Sequence, residues 1–305
     1  MRVLLAGASG VLGQRTAREL AAAGHEVAGL GRGPANALRA DLLDREAVLR
    51  AVDGQSFDAV VHAATALQGR SMMRHRDMDG TDALRTTGTV NLLKAARAVG
   101  ARRIILETMM FGYGYGDHGD RPLEEDRDAY GPRVPDLRER AHVDAMRAKE
   151  DLAFAADGLE AVSLRFGLFY GAGVTETTVL PLLRRRALPV TPDHGRKLSW
   201  VDVDDAARAL VLGLERGRNG RAYNIADGLP LGFGTHVRAV AEAFGAPRPM
   251  SVPRWLFRPA PLAAAMLATN LRLSTERARH ELGWEPTTDA PHRITELAAR
   301  TPVAA

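Results

Sequence analysis

The chain has 305 residues, of which 46% are hydrophobic and 26% charged, and a formal net charge of +4. This is the profile of a globular protein with room for a sizeable core, in one large domain or two small ones. It has no cysteine, which excludes disulfides, thiolate catalysis and Cys-ligated metals, and no basic run with interleaved aromatics points to nucleic acid.

Residues 2–6 are a short apolar run ended by Gly7 and predict a first strand. No basic segment with a cleavage site precedes it, and a cytoplasmic location is expected. A helix is predicted over 14–23, closed by Gly24, and a second strand over 26–30. Residues 45–52 predict a helix with Asp44 as its N-cap, and 59–63 a third strand. A strong helix is predicted over 87–99, ended by Gly100, then a strand at 103–106, a helix at 141–156 and a strand at 161–166. Strands alternating with helices of this length predict parallel βαβ units in an open, doubly wound sheet.

After residue 166 the alternation loosens. Loops are predicted at 171–173 and 189–195, and Arg184, Arg185 and Arg186 read as a solvated helix face. A strand at 200–203, a helix at 204–214 and a strand at 223–225 follow. The apolar stretch 255–267 is broken by Arg258, Pro259 and Pro261 and is too short to span a bilayer. A buried helix or pocket wall is expected there. The expected fold class is α/β: a Rossmann-type dinucleotide-binding domain (1–167 and 196–227) interleaved with a smaller, mostly helical substrate-binding part (168–195 and 228–305). No His, Asp and Glu set has metal-ligand spacing, so no metal is expected.

The turn Gly7-Ala8-Ser9-Gly10-Val11-Leu12-Gly13 joins the first strand to the first helix. A pyrophosphate must approach backbone N–H groups at a helix N-terminus, where the dipole favours negative charge, and side chains would block it. Glycines in this context read as a nucleotide-phosphate loop. An NAD-type site would place Asp or Glu at the end of the second strand. Here Leu30-Gly31-Arg32-Gly33 follows instead, and no carboxylate occurs between Glu26 and Asp41. Arg32 is suited to a 2′-phosphate, so NADP(H) is the preferred cofactor, with NAD(H) left open.

With these residues the sequence resembles the extended short-chain dehydrogenase/reductase family over nearly its whole length. Gly7, Gly10 and Gly13 match the family's glycine pattern. By this resemblance Asp41 and Leu42 meet the adenine, and His62-Ala63-Ala64-Thr65 ends a strand beside the ribose. Residues 88–96 match the long central helix. Leu164-Arg165-Phe166-Gly167-Leu168-Phe169-Tyr170-Gly171 matches a strand and turn, which places Phe166 at the cofactor. Residues 200–207 and 281–286 match two late signatures.

The family's Tyr-x-x-x-Lys, in which the tyrosine exchanges a proton with the substrate oxygen, is missing. The lysines are Lys94, Lys149 and Lys197, and Val90, Ala145 and Asp193 stand four residues before them. One alignment keeps Lys149 and places Ala145 at the tyrosine position. Another, anchored on Glu150-Asp151-Leu152, places His142 there and Met146 at the lysine position. Thr108 reads either as the hydroxyl that holds the substrate oxygen or as a β-branched residue suited to a strand end. His142 is a candidate proton donor or a polar helix residue. Tyr113, Tyr115 and Tyr130 are candidates for a displaced phenol or for pocket wall. Strand alternation turns Glu107 away from Thr108.

The expected function is an NADPH-dependent ketoreductase acting on a small-molecule carbonyl substrate, a bulky secondary metabolite of polyketide type. A nucleotide-sugar epimerase, dehydratase or reductase is the alternative, and a non-catalytic NADP(H) sensor is a second. The substrate pocket is expected from 113–135, 168–195 and the C-terminal helices. The expected partners include no nucleic acid and no membrane, and a homodimer through helices 87–99 and 141–156 is in keeping with the family.

Overall fold

The computed structural model describes residues 1–67, 72–132, 134 and 136–300. Positions 133 and 135 of the expected pocket segment lie outside these. The main sheet has seven parallel strands in the order β3-β2-β1-β4-β5-β6-β9. They are β1 (Arg2–Ala6), β2 (Glu26–Gly31), β3 (Leu38–Arg39), β4 (Ala59–His62), β5 (Arg103–Met109), β6 (Glu160–Phe166) and β9 (Arg221–Ile225). The central strands are apolar on both sides, as a parallel sheet covered on both faces requires. Val3 pairs in register with Val27 of β2 and Ala59 of β4.

Helices α2 (Arg45–Val52), α4 (Thr89–Ala98) and α5 (Leu137–Phe154) cover one face. Leu4, Val60, Ile104 and Leu106 pack there with Leu92, Ala95 and Ala153. Helices α1 (Val11–Ala22) and α7 (Val203–Arg216) cover the other, over Val3, Leu5, Val61, Ile105 and Leu164. As predicted, Asp44 caps α2, its carboxylate accepting the Ala47 N–H at 3.0 Å. The predicted helix at 87–99 is longer than its apolar pattern: α3 (Asp79–Ala83), a π-helical turn over Leu84–Gly88 and α4 run on without a break. Helix α5 also begins early, at Leu137, because Asp136 caps the N–H groups of Arg138 and Glu139.

Strand order reverses between β1 and β4, which opens a crevice at their carboxyl ends, the usual place for a dinucleotide in such sheets. A second sheet pairs β7 (Leu168–Tyr170) with β8 (Trp200–Asp202), both in parallel. The strand predicted near residue 200 thus pairs with β7 and not with the main sheet. A third core lies there, with Tyr113, Met146, Tyr170 and Trp200 packed against α8 (Phe233–Ala243) and α10 (Ala290–Arg300). Arg184, Arg185 and Arg186 are exposed, as expected. No helix among the described residues is long and apolar enough to cross a membrane.

Candidate functional site

The crevice begins at the glycine turn. Gly7 has φ +92°, and a Cβ on it would lie 2.6 Å from the Ala63 carbonyl oxygen at the end of β4. A Cβ on Gly13 would overlap the Gly7 carbonyl. These two glycines therefore let β1, β4 and α1 close on one another. Gly10 is the N-cap of α1, and a Cβ there would meet only the Gly7 oxygen, at 3.4 Å. The first turn of α1 holds no acidic residue. Ser9 is exposed, its carbonyl held by the Gln14 amide at 2.9 Å, and Val11 and Leu12 are half-buried. An open, uncharged helix N-terminus with bare backbone fits the pyrophosphate of a nicotinamide dinucleotide.

Arg32 stands at the end of β2 with its side chain 74% exposed, 3.8 Å from the Asp41 carboxylate. Ala63 and Ala64 are buried at the end of β4, and Thr65 is exposed beside them. Leu42 is buried and its carbonyl accepts the Asn91 amide at 2.8 Å, which fixes the Asp41 backbone above the sheet. Phe166 departs from expectation. Its ring is fully buried in the core over α7 and tilted against Phe169, so it lines no crevice.

Thr108 also departs from expectation. It is 1% exposed, and its hydroxyl lies 3.2 Å from Glu150 Oε1, 3.1 Å from the Ser163 hydroxyl and 3.2 Å from the Leu164 carbonyl. Its one hydrogen is taken up by acceptors beneath α5, so it has none to donate to a substrate oxygen. Glu150 in turn pairs with Arg165 at 2.7 Å, both buried, and Arg165 donates to the Tyr113 hydroxyl at 2.9 Å. Tyr113 donates onward to Asn224 at 2.9 Å. This network locks α5 to β5, β6 and β9. Burial pushes the Tyr113 phenol up to about 12, which makes it a poor acid.

Lys149 is equally enclosed. Its ammonium donates to the Glu107 carbonyl at 2.6 Å and to the His62 carbonyl at 3.2 Å, and lies 3.4 Å from the Glu107 carboxylate. It ties together the ends of β4 and β5, and burial pulls it down to about 8 despite the Glu107 charge. The opposite facing of Glu107 and Thr108 matches these separate partners.

His142 takes a different part. It lies two turns before Glu150 on the same side of α5, with Met146 between them, as the alignment anchored on Glu150 requires. It is 2% exposed. Its Nδ1 donates to Asp82 Oδ2 at 2.5 Å, and Asp82 is held in turn by Arg85 at 3.0 Å. Its Nε2 lies 3.0 Å from His75 Nδ1, with the two rings nearly coplanar. His75 is half-buried, and burial, with the neighbouring His142, lowers its pKa. Arg85 sits in the π-helical turn, a distortion that often marks a functional position. Nearby, Tyr130 donates to the Met109 carbonyl at 2.9 Å and stacks under Arg165, while Tyr115 stacks on Phe111. Burial raises both phenols. His142 is thus the predicted site residue that the fold joins to further titratable side chains. Sequence reading missed Asp82, Arg85 and His75, which no motif marks. The Glu150–Arg165 pair was present in the matched segments but not read as a pair.

The model of the NAD dependent epimerase/dehydratase family matches residues 3–226. A 3-diazoavenalumate denitrifying reductase of a Streptomyces species is 36% identical, across 94% of this chain and 96% of that protein. A 2-alkyl-3-oxoalkanoate reductase of Stenotrophomonas maltophilia is 30% identical, across 81% and 77%. The crystal structure of the Thermus thermophilus UDP-glucose 4-epimerase with NAD is 26% identical, covers 98% of both chains and superposes with a TM-score of 0.75. With the crevice, the glycine turn and these matches, the chain belongs to the NAD-dependent epimerase/dehydratase family, within the extended short-chain dehydrogenase/reductases, and is an oxidoreductase that takes a nicotinamide cofactor.

Proposed function

We propose that the protein is an NADPH-dependent reductase that acts on the carbonyl of a bulky small molecule, with His142 supplying the proton through His75. The observation that carries this reading is the Asp82–His142–His75 chain, which is centred on α5 at the helix position that the Glu150-anchored alignment gives to the family's tyrosine. The bound nicotinamide supplies the hydride. Gly7, Gly10 and Gly13 seat its pyrophosphate, and Arg32 pairs with the 2′-phosphate. His142, when charged, is stabilised by Asp82, and because its Nε2 faces His75 its proton leaves to that ring. The half-buried His75 gives the proton on to the carbonyl oxygen, so that C=O, hydride and proton become CH–OH. The two reductases among the similar proteins support reduction over epimerisation.

The test is single-turnover oxidation of NADPH against a panel of ketones. His142→Phe is expected to slow the step about 10²- to 10⁴-fold, the usual contribution of a positioned proton donor, and Thr108→Val to leave it unchanged. An unchanged rate in His142→Phe overturns the assignment. Tight NADPH binding with no ketone reduced favours a sensor instead.

A second reading is reduction at a diazo-bearing carbon. The similarity to the denitrifying reductase across nearly the whole chain favours it. Aryl diazo compounds in the same panel decide between the two. If they alone consume NADPH, with His142→Phe unimpaired, the carbonyl reading fails.

A further inference from the structure

An open pocket of about 540 Å³ lies beside the His75 segment. One wall is the segment from Met73 to Asp77, and the other runs from Met250 to Ala260. The two are joined where the Met73 carbonyl accepts the Leu262 N–H at 3.1 Å, at the start of α9 (Pro261–Ala268). Apolar lining comes from Met73, Met250, Val252, Leu256 and Phe257. Met73, Met250 and Leu256 are exposed at 46%, 62% and 46%, although such side chains usually avoid water.

Three charged side chains line the same pocket: Arg74, Arg76 and Asp77. Asp77 is already engaged, its Oδ2 accepting the N–H groups of Met73 at 3.0 Å and Arg74 at 2.9 Å. Neither Arg74 nor Arg76 pairs with a carboxylate within 4 Å among the described residues, so two guanidiniums face one carboxylate that the backbone holds. The balance of charge is positive, and a guanidinium presents paired N–H groups matched to a carboxylate. His75 lies between the two arginines and reaches inward to His142. The pocket and the proton chain therefore share one short stretch of backbone.

We infer that this pocket binds the far end of the substrate, and that the substrate is an apolar or aromatic carboxylate whose acid group pairs with Arg74 and Arg76. The inference rests on the reductase reading for its placement but concerns binding alone. The apolar wall takes the hydrocarbon body, the two arginines take the acid, and the reacting carbon extends toward His75. Neutral analogues of the same shape lose the ion pair and bind more weakly.

The test uses the full chain with 4-phenylbutanoate and its uncharged isostere 4-phenylbutanamide, followed by quenching of Trp255 and by calorimetry. Trp255 is 60% exposed and adjoins Leu256 and Phe257, so it reports on this wall. The acid is expected to bind at least about tenfold more tightly than the amide, a preference that falls with salt. The double variant Arg74→Gln, Arg76→Gln is expected to bind the two alike, and as both side chains are exposed the fold should tolerate it. Equal binding by the wild type, binding of neither probe, or a preference that survives in the double variant overturns the inference. Because no hydride step is involved, acid binding without turnover sinks the reductase reading alone. Turnover of neutral ketones with no preference for acids sinks this one alone.

Discussion

The glycine turn and the inner face of α5 meet at the same strand ends, yet the two keep to the family pattern very differently. At the turn, Gly7 and Gly13 stand where a Cβ would strike backbone, and Gly10 leaves the helix N-terminus open. Backbone geometry dictates those residues, so the pattern is intact. On α5 the groups are side chains, and side chains can be exchanged if their neighbours change too. On our reading, which takes the alignment anchored on Glu150, His142 stands at the tyrosine position and Met146 at the lysine position, while the Glu150–Arg165 pair that seats the helix is in place. On that reading a cofactor site set by backbone is kept beside a proton site that is rebuilt.

The largest effect should come from breaking the seat of the rebuilt side. Glu150→Ala leaves the buried Arg165 charge without its carboxylate, and loss of about 3–5 kcal/mol is expected in denaturant titrations. A loss below about 1 kcal/mol would show that the helix is held in some other way. On the kept side, Arg32→Ala should cost NADPH about 1.5–3 kcal/mol of binding, as for a hydrogen bond to a charged group, and leave NADH nearly unaffected. Equal losses for both cofactors would remove the 2′-phosphate contact.

The smallest effect, when read over a single pH unit, is one of acidity. His236 on α8 is stacked on Trp200 at 3.8 Å, and burial holds it at about 3 against an unfolded value of 6.5. Between these values the unfolded chain binds a proton that the folded chain does not. Stability therefore falls as pH drops from about 6.5 toward 3, by about 1.4 kcal/mol per pH unit for this group. His236→Phe should flatten that part of the profile by the same slope. His62 at the end of β4 and His75 are also lowered by burial, so the variant keeps part of its acid sensitivity.

Much of the frame was legible in the sequence. The strand runs, the glycine turn and the Asp44 cap are local, and short-range sterics and hydrogen bonds decide them. The same local reading failed where two signals compete. Residues 79–86 lack the apolar period of the helix they extend, and tertiary contacts with α5 keep them helical.

What the sequence determined by itself is the order of strands and helices and the bare turn for a dinucleotide, because each depends on residues close in the chain. Only the tertiary structure decided which side chains do the remaining work. Thr108 and Phe166 sit at the right strand ends, but their hydroxyl and ring turn into cores that form only when β6 and the helices pack. His142 meets Asp82 across 60 residues and His75 across 67. No local rule sets such distances: they follow from how α3 and α5 pack together on the sheet, and that packing gives an ordinary helix histidine its two side-chain partners.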